Sequence, residues 1–218
     1  MLTQQNYAFN RDLLSIVFLG DTAHAADDYY DNLDGVFTKL SAGAAANDGT
    51  VDFGAIVAGD VDTTDFFTTM KSVYDSQSRM LKGIPNNRKT WIWTRALYDA
   101  YLSFLQEKTQ TSAGIIQTSY ITDGMNVNAF LGIPIVVLDI IDERLETDFL
   151  SGSPAAPVDP YRGVLTVGTN HIIMMDGTGF QNSMQWYEKK EDKVYVTGSA
   201  LIDYQYGYGD LNVLFGIS

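Results

Sequence analysis

The residues with the clearest potential for chemistry are five aspartates between Phe18 and Leu40, in the stretch FLGDTAHAADDYYDNLDGVFTKL. Carboxylate oxygens at alternate positions bind calcium in an EF-hand loop, which also needs a glycine sixth and a glutamate twelfth. When Gly35 is placed sixth, Tyr30 falls first and Ser41 twelfth, so both anchoring ligands are missing. We therefore interpret the stretch as a solvated turn, after which apolar residues re-enter the core.

A second candidate site is a pair of carboxylates for acid-base hydrolysis, drawn from Asp99, Asp139, Asp142 and Glu143. Glycosidases need two carboxyl groups that flank the scissile bond. The chain has 27 acidic residues, so spacing alone singles out no pair. Solvated surface charges are the favoured interpretation.

Other residues that often carry chemistry occur in no catalytic pattern. His24 and His171 are far apart and match no metalloprotease motif, so each is predicted to be a surface or packed side chain. Gly177-Thr178-Gly179 lacks the third glycine of a dinucleotide fingerprint and is predicted to be a hairpin turn. The sequence has no cysteine, which excludes disulfides and thiolate chemistry. We predict no catalytic residue, no cofactor-binding residue, no metal ligand and no enzymatic activity.

Two aromatic runs offer surfaces for stacking, WIW at Trp91–Trp93 and YQYGYGD at Tyr204–Asp210. They could bind sugars or bases, but packing on a strand face or contact between subunits is favoured. A carbohydrate-active hydrolase or binding domain that uses exposed aromatics and paired acids stays open as an alternative function.

Composition is typical of a globular protein that binds neither nucleic acid nor membrane. The 218 residues are 45% hydrophobic, enough for a sizeable core. With 14 basic and 27 acidic residues, the net charge of −13 repels a phosphate backbone, so no direct sequence-specific binding of nucleic acid is expected. No apolar stretch approaches the roughly 18 residues of a membrane span. Met1–Asn10 lacks the features of a signal peptide, so an intracellular origin is expected.

The elements that position these residues begin with three predicted helices. Apolar residues at helical spacing predict them from about the first residue to Gly20, from the caps at Asp62–Thr64 to Leu81, and from Thr94, as cap, to about Glu107. Each presents an apolar stripe to the core.

Strands are predicted between and after these helices. A short strand is expected within Val51–Val57, another at Lys89–Thr94, and the apolar run Ile133–Asp139 predicts a central strand covered on both faces. Leu150–Gly163 carries three of the five prolines and is predicted to be an exposed loop. The C-terminal third predicts antiparallel strands from VLTVG, HIIMMD, SMQWYEKK, KVYVTGSALIDYQY and LNVLFGI. The predicted fold class is α+β.

The order of these elements and several local sequences resemble the major capsid proteins of tailed bacteriophages, whose Hong Kong 97-type fold is shared with encapsulins and herpesvirus capsid floors. In that family a long spine helix ends at a motif like Leu19-Gly20-Asp21, and a short loop leads to a segment like DNLDGV, here Asp31–Val36. Further similar segments, in family order, are NRKTWIWTRALYDAYLSFL (Asn87–Leu105), FLGIPIVVLD (Phe130–Asp139), RGVLTVG (Arg162–Gly168) and the tail from Met184 to Ile217.

The resemblance extends from about Asn10 to Ile217 and implies a mixed sheet flanked by helices, divided into axial and peripheral domains. Residues 1–62 would hold the end of the spine helix and a peripheral segment, 63–175 an axial-type domain, and 176–218 the returning strands of the peripheral domain. Family members carry an N-terminal arm and an extended loop before the spine helix, so this chain is expected to be the C-terminal part of a longer protein. Asp142–Tyr161 is expected to be an insertion.

The resemblance also implies a function. The chain is expected to be a structural subunit of a tailed phage or prophage icosahedral head, associating with copies of itself in pentamers and hexamers around packaged double-stranded DNA. Scaffold or portal proteins would be further partners, and no cofactor is expected. The expected location is the virion capsid, after synthesis in the bacterial host cytoplasm. An encapsulin-like shell protein is an alternative with the same fold.

Overall fold

The structure, a computed structural model, describes residues 2–23, 33–110, 128–139, 141, 160–175, 184–188, 193–197 and 202–217. Its helices are α1 (Leu2–Leu19), α2 (Val36–Ala45), α3 (Phe66–Asp75), α4 (Arg79–Lys82) and α5 (Arg95–Gln110). Its strands are β1 (Val51–Asp52), β2 (Lys89–Thr94), β3 (Ala129–Phe130), β4 (Ile133–Leu138), β5 (Gly163–Val167), β6 (His171–Met175), β7 (Met184–Glu188), β8 (Lys193–Thr197), β9 (Ile202–Tyr206) and β10 (Asn212–Phe215). Together they form a mixed α/β architecture.

Six strands form the large mixed sheet in the order β1-β10-β5-β2-β4-β3. The β1–β10 and β2–β4 pairs are parallel, whereas β10–β5, β5–β2 and β4–β3 are antiparallel. Two separate antiparallel pairs, β6–β9 and β7–β8, complete the predicted β structure of the C-terminal third. The large sheet combines strands from all three predicted segments, and the division into axial and peripheral domains stays a prediction.

The larger core lies between the sheet and helices α3 and α5. Trp91 and Trp93 are fully buried on β2, as the strand-packing interpretation of WIW predicted. Phe66 on α3 stacks on Tyr101 of α5 with 5.5 Å between ring centroids, and Phe130 lies 6.0 Å from each tryptophan ring. Buried aromatic pairs at such distances add to the stability that their burial provides.

A second core lies on the opposite face of β5 and β10, against α1 and α2. Val164 and Leu214 are cross-strand partners in this core, whereas their neighbours Leu165 and Val213 belong to the first. Because successive side chains of a strand point to opposite faces, both faces of this strand pair are buried. This double burial explains the continuous apolar composition of the two strands.

The connection from α1 to α2 confirms the predicted turn at its two ends. Helix α1 ends at Leu19, and the chain re-enters the core at Leu33, Val36 and Leu40. Helix α2 itself was not predicted from the sequence. A turn follows α2, with Asn47 at φ 59° and Gly49 at φ 99°. The predicted strand within 51–57 is limited to the two residues of β1.

The helix predicted to run without interruption to Leu81 is wrong, because it is divided into α3 and α4. The Gln77 side chain lies between them, 4% exposed, and its Oε1 accepts a hydrogen bond from Lys89 Nζ at 2.7 Å. The next residue, Ser78, caps α4 by accepting from the Leu81 amide at 3.0 Å. The buried contact of Gln77 with Lys89 therefore accompanies the end of α3, and the Ser78 cap starts α4.

The prediction that Ile133–Asp139 forms a central strand covered on both faces is also wrong. Residues 135–138 of β4 pair with β2, and Ile133 and Pro134 pair with the two-residue β3 on the other side. The Val136 side chain is 46% exposed. The strand therefore lies next to the edge of the sheet, and the face that carries Val136 is partly open to solvent, although Leu138 at its end packs against the second core.

Several predictions concern residues outside the described part of the chain. They are His24, the turn at Gly177–Gly179, most of the insertion expected at Asp142–Tyr161 and most of the predicted proline-rich loop. Asp142 and Glu143 belong to the same undescribed range. These remain predictions from the sequence.

Candidate functional site

The two described members of the carboxylate set surround one arginine. Arg95 Nε lies 2.9 Å from Asp99 Oδ1, one helical turn away, and Arg95 Nη1 lies 3.4 Å from Asp139 Oδ1. The Asp99 carboxylate raises the pKa of Arg95. All three side chains are about half exposed or more. The arrangement matches the predicted solvated charges, since each carboxylate pairs with the exposed guanidinium and the two carboxylates do not form an acid pair with each other.

Hydrogen bonds between the two described ends of the acidic stretch hold the end of α1 close to the start of α2. The Gly35 amide donates to the Gly20 carbonyl at 2.8 Å, and the Thr22 amide and hydroxyl donate to Asp34 Oδ1 at 2.9 and 2.8 Å. A Cβ atom on Gly35 would lie 2.7 Å from the Val17 carbonyl oxygen. Within the described ranges, no group of three histidine, aspartate or glutamate side chains is placed to hold a metal ion.

His171 belongs to a hydrogen-bonded network that joins the β6–β9 pair to the large sheet. The Tyr204 hydroxyl on β9 donates to His171 Nδ1 at 2.6 Å, and His171 Nε2 donates to Thr166 Oγ1 on β5 at 2.7 Å. The Thr166 hydroxyl in turn donates to Asn212 Oδ1 on β10 at 2.7 Å. This tautomer follows from the network, because the threonine proton is already committed to the asparagine.

Burial keeps the imidazole neutral. Burial lowers the pKa of His171 to about 4, and burial also raises the pKa of Tyr204. Both ring nitrogens have partners, so neither is left to accept a proton from a substrate. His171 is therefore a packed side chain, as the sequence analysis predicted.

Lys89 has a lowered pKa, as a candidate nucleophile would, but its side chain is not accessible to a substrate. Its side chain lies in the larger core, the residue is 2% exposed, and burial lowers its pKa. Its Nζ donates to Gln77 and lies 5.7 Å from the centroid of the Tyr74 ring. A nucleophilic lysine must reach its substrate, so the role of Lys89 is structural.

Two open grooves on the described surface lack paired acids. One, of about 440 Å³, lies between the end of α1 and α2 and carries a single carboxylate, Asp21. The other, of about 860 Å³, lies beside β2 and β5, and its charged residue is Arg88. Neither groove offers the two facing carboxyl groups that glycoside hydrolysis requires.

Strand β6 exposes apolar residues that the sequence analysis did not single out. Ile172, Ile173 and Met174 are 52%, 48% and 47% exposed. The β6–β9 register places Ile172 and Met174 on the face opposite to Tyr204, which is buried in the second core. The run IIMM was a signal for this surface, because it lacks the apolar-polar alternation of a strand with one wet face.

No protein-family model and no curated protein matches the chain. Solved structures do match. A chain of the structure titled "Satellite phage P4 procapsid including size determination (Sid) protein" is 16% identical, covers 100% of this chain and 67% of its own length, and has a TM-score of 0.53. A chain from Mycobacterium phage Che8 is 11% identical, covers 83% of this chain and 63% of its own length, and has a TM-score of 0.45.

The fold is shared with a phage procapsid chain. At this level of identity the similarity shows the fold alone, and this chain spans about two thirds of the length of the procapsid chain. The architecture is a mixed sheet with helices, as predicted. No described helix combines the length and the hydropathy needed to cross a bilayer.

Proposed function

We propose that the chain is a structural subunit of a tailed phage or prophage head, a major capsid protein of the Hong Kong 97-type fold. It associates with copies of itself in pentamers and hexamers that close into an icosahedral shell around double-stranded DNA. It has no enzymatic activity and needs no cofactor. Its location is the virion capsid.

The observation that carries this proposal is the structural similarity over the whole chain to a chain of a phage procapsid structure. The order of local motifs supports it independently, because the segments of Leu19-Gly20-Asp21, Lys89–Thr94 and Gly163–Val167 fall on the helix end and strands expected from the capsid resemblance. Closed shells arise when one chain repeats the same contacts around symmetry axes.

The described surface supports an assembling protein more than a hydrolase. Asp99 and Asp139 share Arg95, and Trp91 and Trp93 are buried, so these four described residues do not offer the paired acids and exposed aromatics that a carbohydrate-active site would use. The β6 strand exposes apolar side chains instead, which is typical of surfaces that meet another protein.

Electron microscopy of the full-length protein tests the proposal. We expect closed particles of one diameter, or rings of five or six copies, whereas a full-length protein that stays monomeric under assembly conditions would overturn it. A Trp91→Ala/Trp93→Ala variant, which loses core packing, serves as a control for aggregation. Particles formed by the wild type alone support assembly through the folded state.

A further inference from the structure

We propose that copies of this chain meet head to tail, with a basic surface that follows helix α3 in one copy against an acidic surface that precedes α3 in the next. The basic surface consists of Arg79, Lys82 and Arg88. The acidic surface consists of Val57, Asp60, Asp62 and Asp65. The proposal rests on the proposed function, because it names surfaces through which subunits of one assembly meet.

The sequence separates opposite charges on the two sides of α3. Between Lys39 and Lys71 there are five acidic residues and no basic one, and between Asp75 and Asp99 there are five basic residues and no acidic one. The second interval is the exception in a chain with 27 acidic and 14 basic residues. Charges gathered in two blocks create a field that a partner can recognise.

The structure exposes most of the basic block. Arg79, Lys82 and Arg88 are exposed, and none of them forms an ion pair with a carboxylate of the described residues. The other two cations of the block are already placed, since Lys89 is buried and Arg95 pairs with two aspartates. Within the described surface, three cations therefore await a counterion on a chain whose net charge is −13.

The acidic surface is held in shape by hydrogen bonds to its own backbone. Asp60 Oδ2 accepts from the Val57 amide at 3.0 Å, and Asp62 Oδ1 accepts from the Thr64 and Asp65 amides at 2.8 Å each. The first of these bonds places a carboxylate beside Val57, whose side chain is 52% exposed. The surface therefore offers an apolar side chain flanked by negative charge.

The basic surface carries the complementary pattern, because it adjoins the larger groove. Arg88 lines this groove, of about 860 Å³, together with the apolar Ile84, Pro85 and Leu211. A fitting partner brings apolar side chains with carboxylates around them, as the acidic surface does. A nucleic-acid backbone brings the negative charge without the apolar side chain, and the net charge of the chain repels it.

The two surfaces lie on either side of α3 in the chain, which favours contact between copies. Helix α3 has 10 residues and is therefore roughly 15 Å long, more than the screening length of about 8–10 Å at physiological salt. Opposite surfaces at two ends of an element meet in neighbouring copies, and such heterologous contacts can close into rings. Their charges select the orientation in which copies meet, while the net charge still opposes association as a whole.

Charge reversal in the full-length protein tests the contact. Arg88→Glu and Asp65→Lys each set like charges against each other, so each should raise the concentration needed for assembly about tenfold in about 0.05 M salt. Asp65→Lys discriminates most sharply, because it reduces the net negative charge and would promote assembly if net charge alone mattered. The combined variant Arg88→Glu/Asp65→Lys restores opposite charges and should assemble within about twofold of the wild type. Both positions are exposed, so all three variants should unfold in urea as the wild type does.

The matched control is Lys71→Glu, which changes the net charge as Arg88→Glu does, at an exposed position within α3. It should change the assembly concentration less than about threefold. Equal effects of these two variants, or a combined variant no better than the single ones, overturn the contact and leave the capsid proposal intact. Unchanged assembly of Arg88→Glu with loss of bound DNA also overturns it and assigns the basic surface to nucleic acid. A full-length protein that never assembles overturns both proposals.

Discussion

A single histidine, His171, links three strands outside its own, because its two ring nitrogens join Tyr204 to Thr166 and onward to Asn212. The network is satisfied only with a neutral ring, in which Nδ1 accepts and Nε2 donates. A protonated ring would turn Nδ1 into a donor towards the Tyr204 hydroxyl, which would have to rotate. The β6–β9 pair is therefore attached to the sheet most firmly when this histidine carries no charge.

Acidification should weaken the fold through His171. The pKa is lowered from 6.5 to about 4 in the folded chain, so the folded state binds fewer protons and the free energy of unfolding decreases as pH falls through this window. The stabilisation is fully present above pH 6.5 and is lost as pH falls to about 4. We expect a loss of roughly 3 kcal/mol relative to His171→Gln. Urea unfolding of both proteins across the window measures it, and parallel pH curves would contradict the account.

Lys89 and Gln77 form a second buried polar contact with a different consequence. Gln77→Met removes the Lys89 acceptor without adding a charge, and leaves the buried ammonium with only the Tyr74 ring. We expect a loss of about 1–3 kcal/mol in the free energy of unfolding. As control, Lys71→Met breaks an exposed ion pair with Asp75 and should cost less than about 1 kcal/mol. Equal losses in urea unfolding would show that Gln77 is not an essential partner.

At the scale of elements, the α1–α2 junction depends on the close approach of two glycine backbones. Gly35→Ala would place Cβ 2.7 Å from the Val17 carbonyl oxygen and 2.8 Å from the Gly20 nitrogen, both of them backbone atoms that cannot rotate away. We expect a loss of at least about 2 kcal/mol in the free energy of unfolding. Gly59→Ala is the matched control, because nothing lies within 4 Å of its added Cβ. Thermal unfolding of both variants checks this, and a Gly35→Ala variant as stable as Gly59→Ala would refute the tight junction.

Most helices and strands could be predicted, because the pattern of apolar and polar residues along each one shows which of its faces is buried. The alternation in β2 and the stripe from Leu97 to Tyr101 in α5 reflect one buried face each. The break at Gln77 could not be predicted, because it depends on Lys89, which is adjacent only in the folded chain. The exposure of Val136 was missed for a similar reason, since an apolar run does not say whether a second layer covers the strand.

The same distinction applies to the candidate site: features set by single residues could be predicted, and features set by contacts between distant strands could not. The sequence correctly indicated that His171 is packed and that Trp91 and Trp93 belong to the core, because single buried residues follow general preferences. The run IIMM indicated apolar residues on both faces of β6, but which of its side chains point away from the core could not be predicted, since strand pairing and register decide it.

At the scale of the molecule, acidity is the main obstacle to self-association. Each copy carries a net charge of −13, so bringing copies together costs electrostatic free energy that salt reduces. Raising the salt concentration from about 0.05 M to about 0.5 M shortens the screening length severalfold. The concentration required for assembly should therefore fall as salt is added. Light scattering across a salt series measures it, and a requirement that rises with salt would indicate contacts dominated by ion pairs between copies.

Sedimentation velocity of the full-length protein over a wide concentration range is the most direct test of the central claim, that this fold associates with copies of itself. We predict a slow boundary whose amplitude stops growing above a threshold concentration, and a single fast boundary that takes up all further protein, as expected for closed assemblies. A single monomer boundary at every concentration and salt condition would contradict the account.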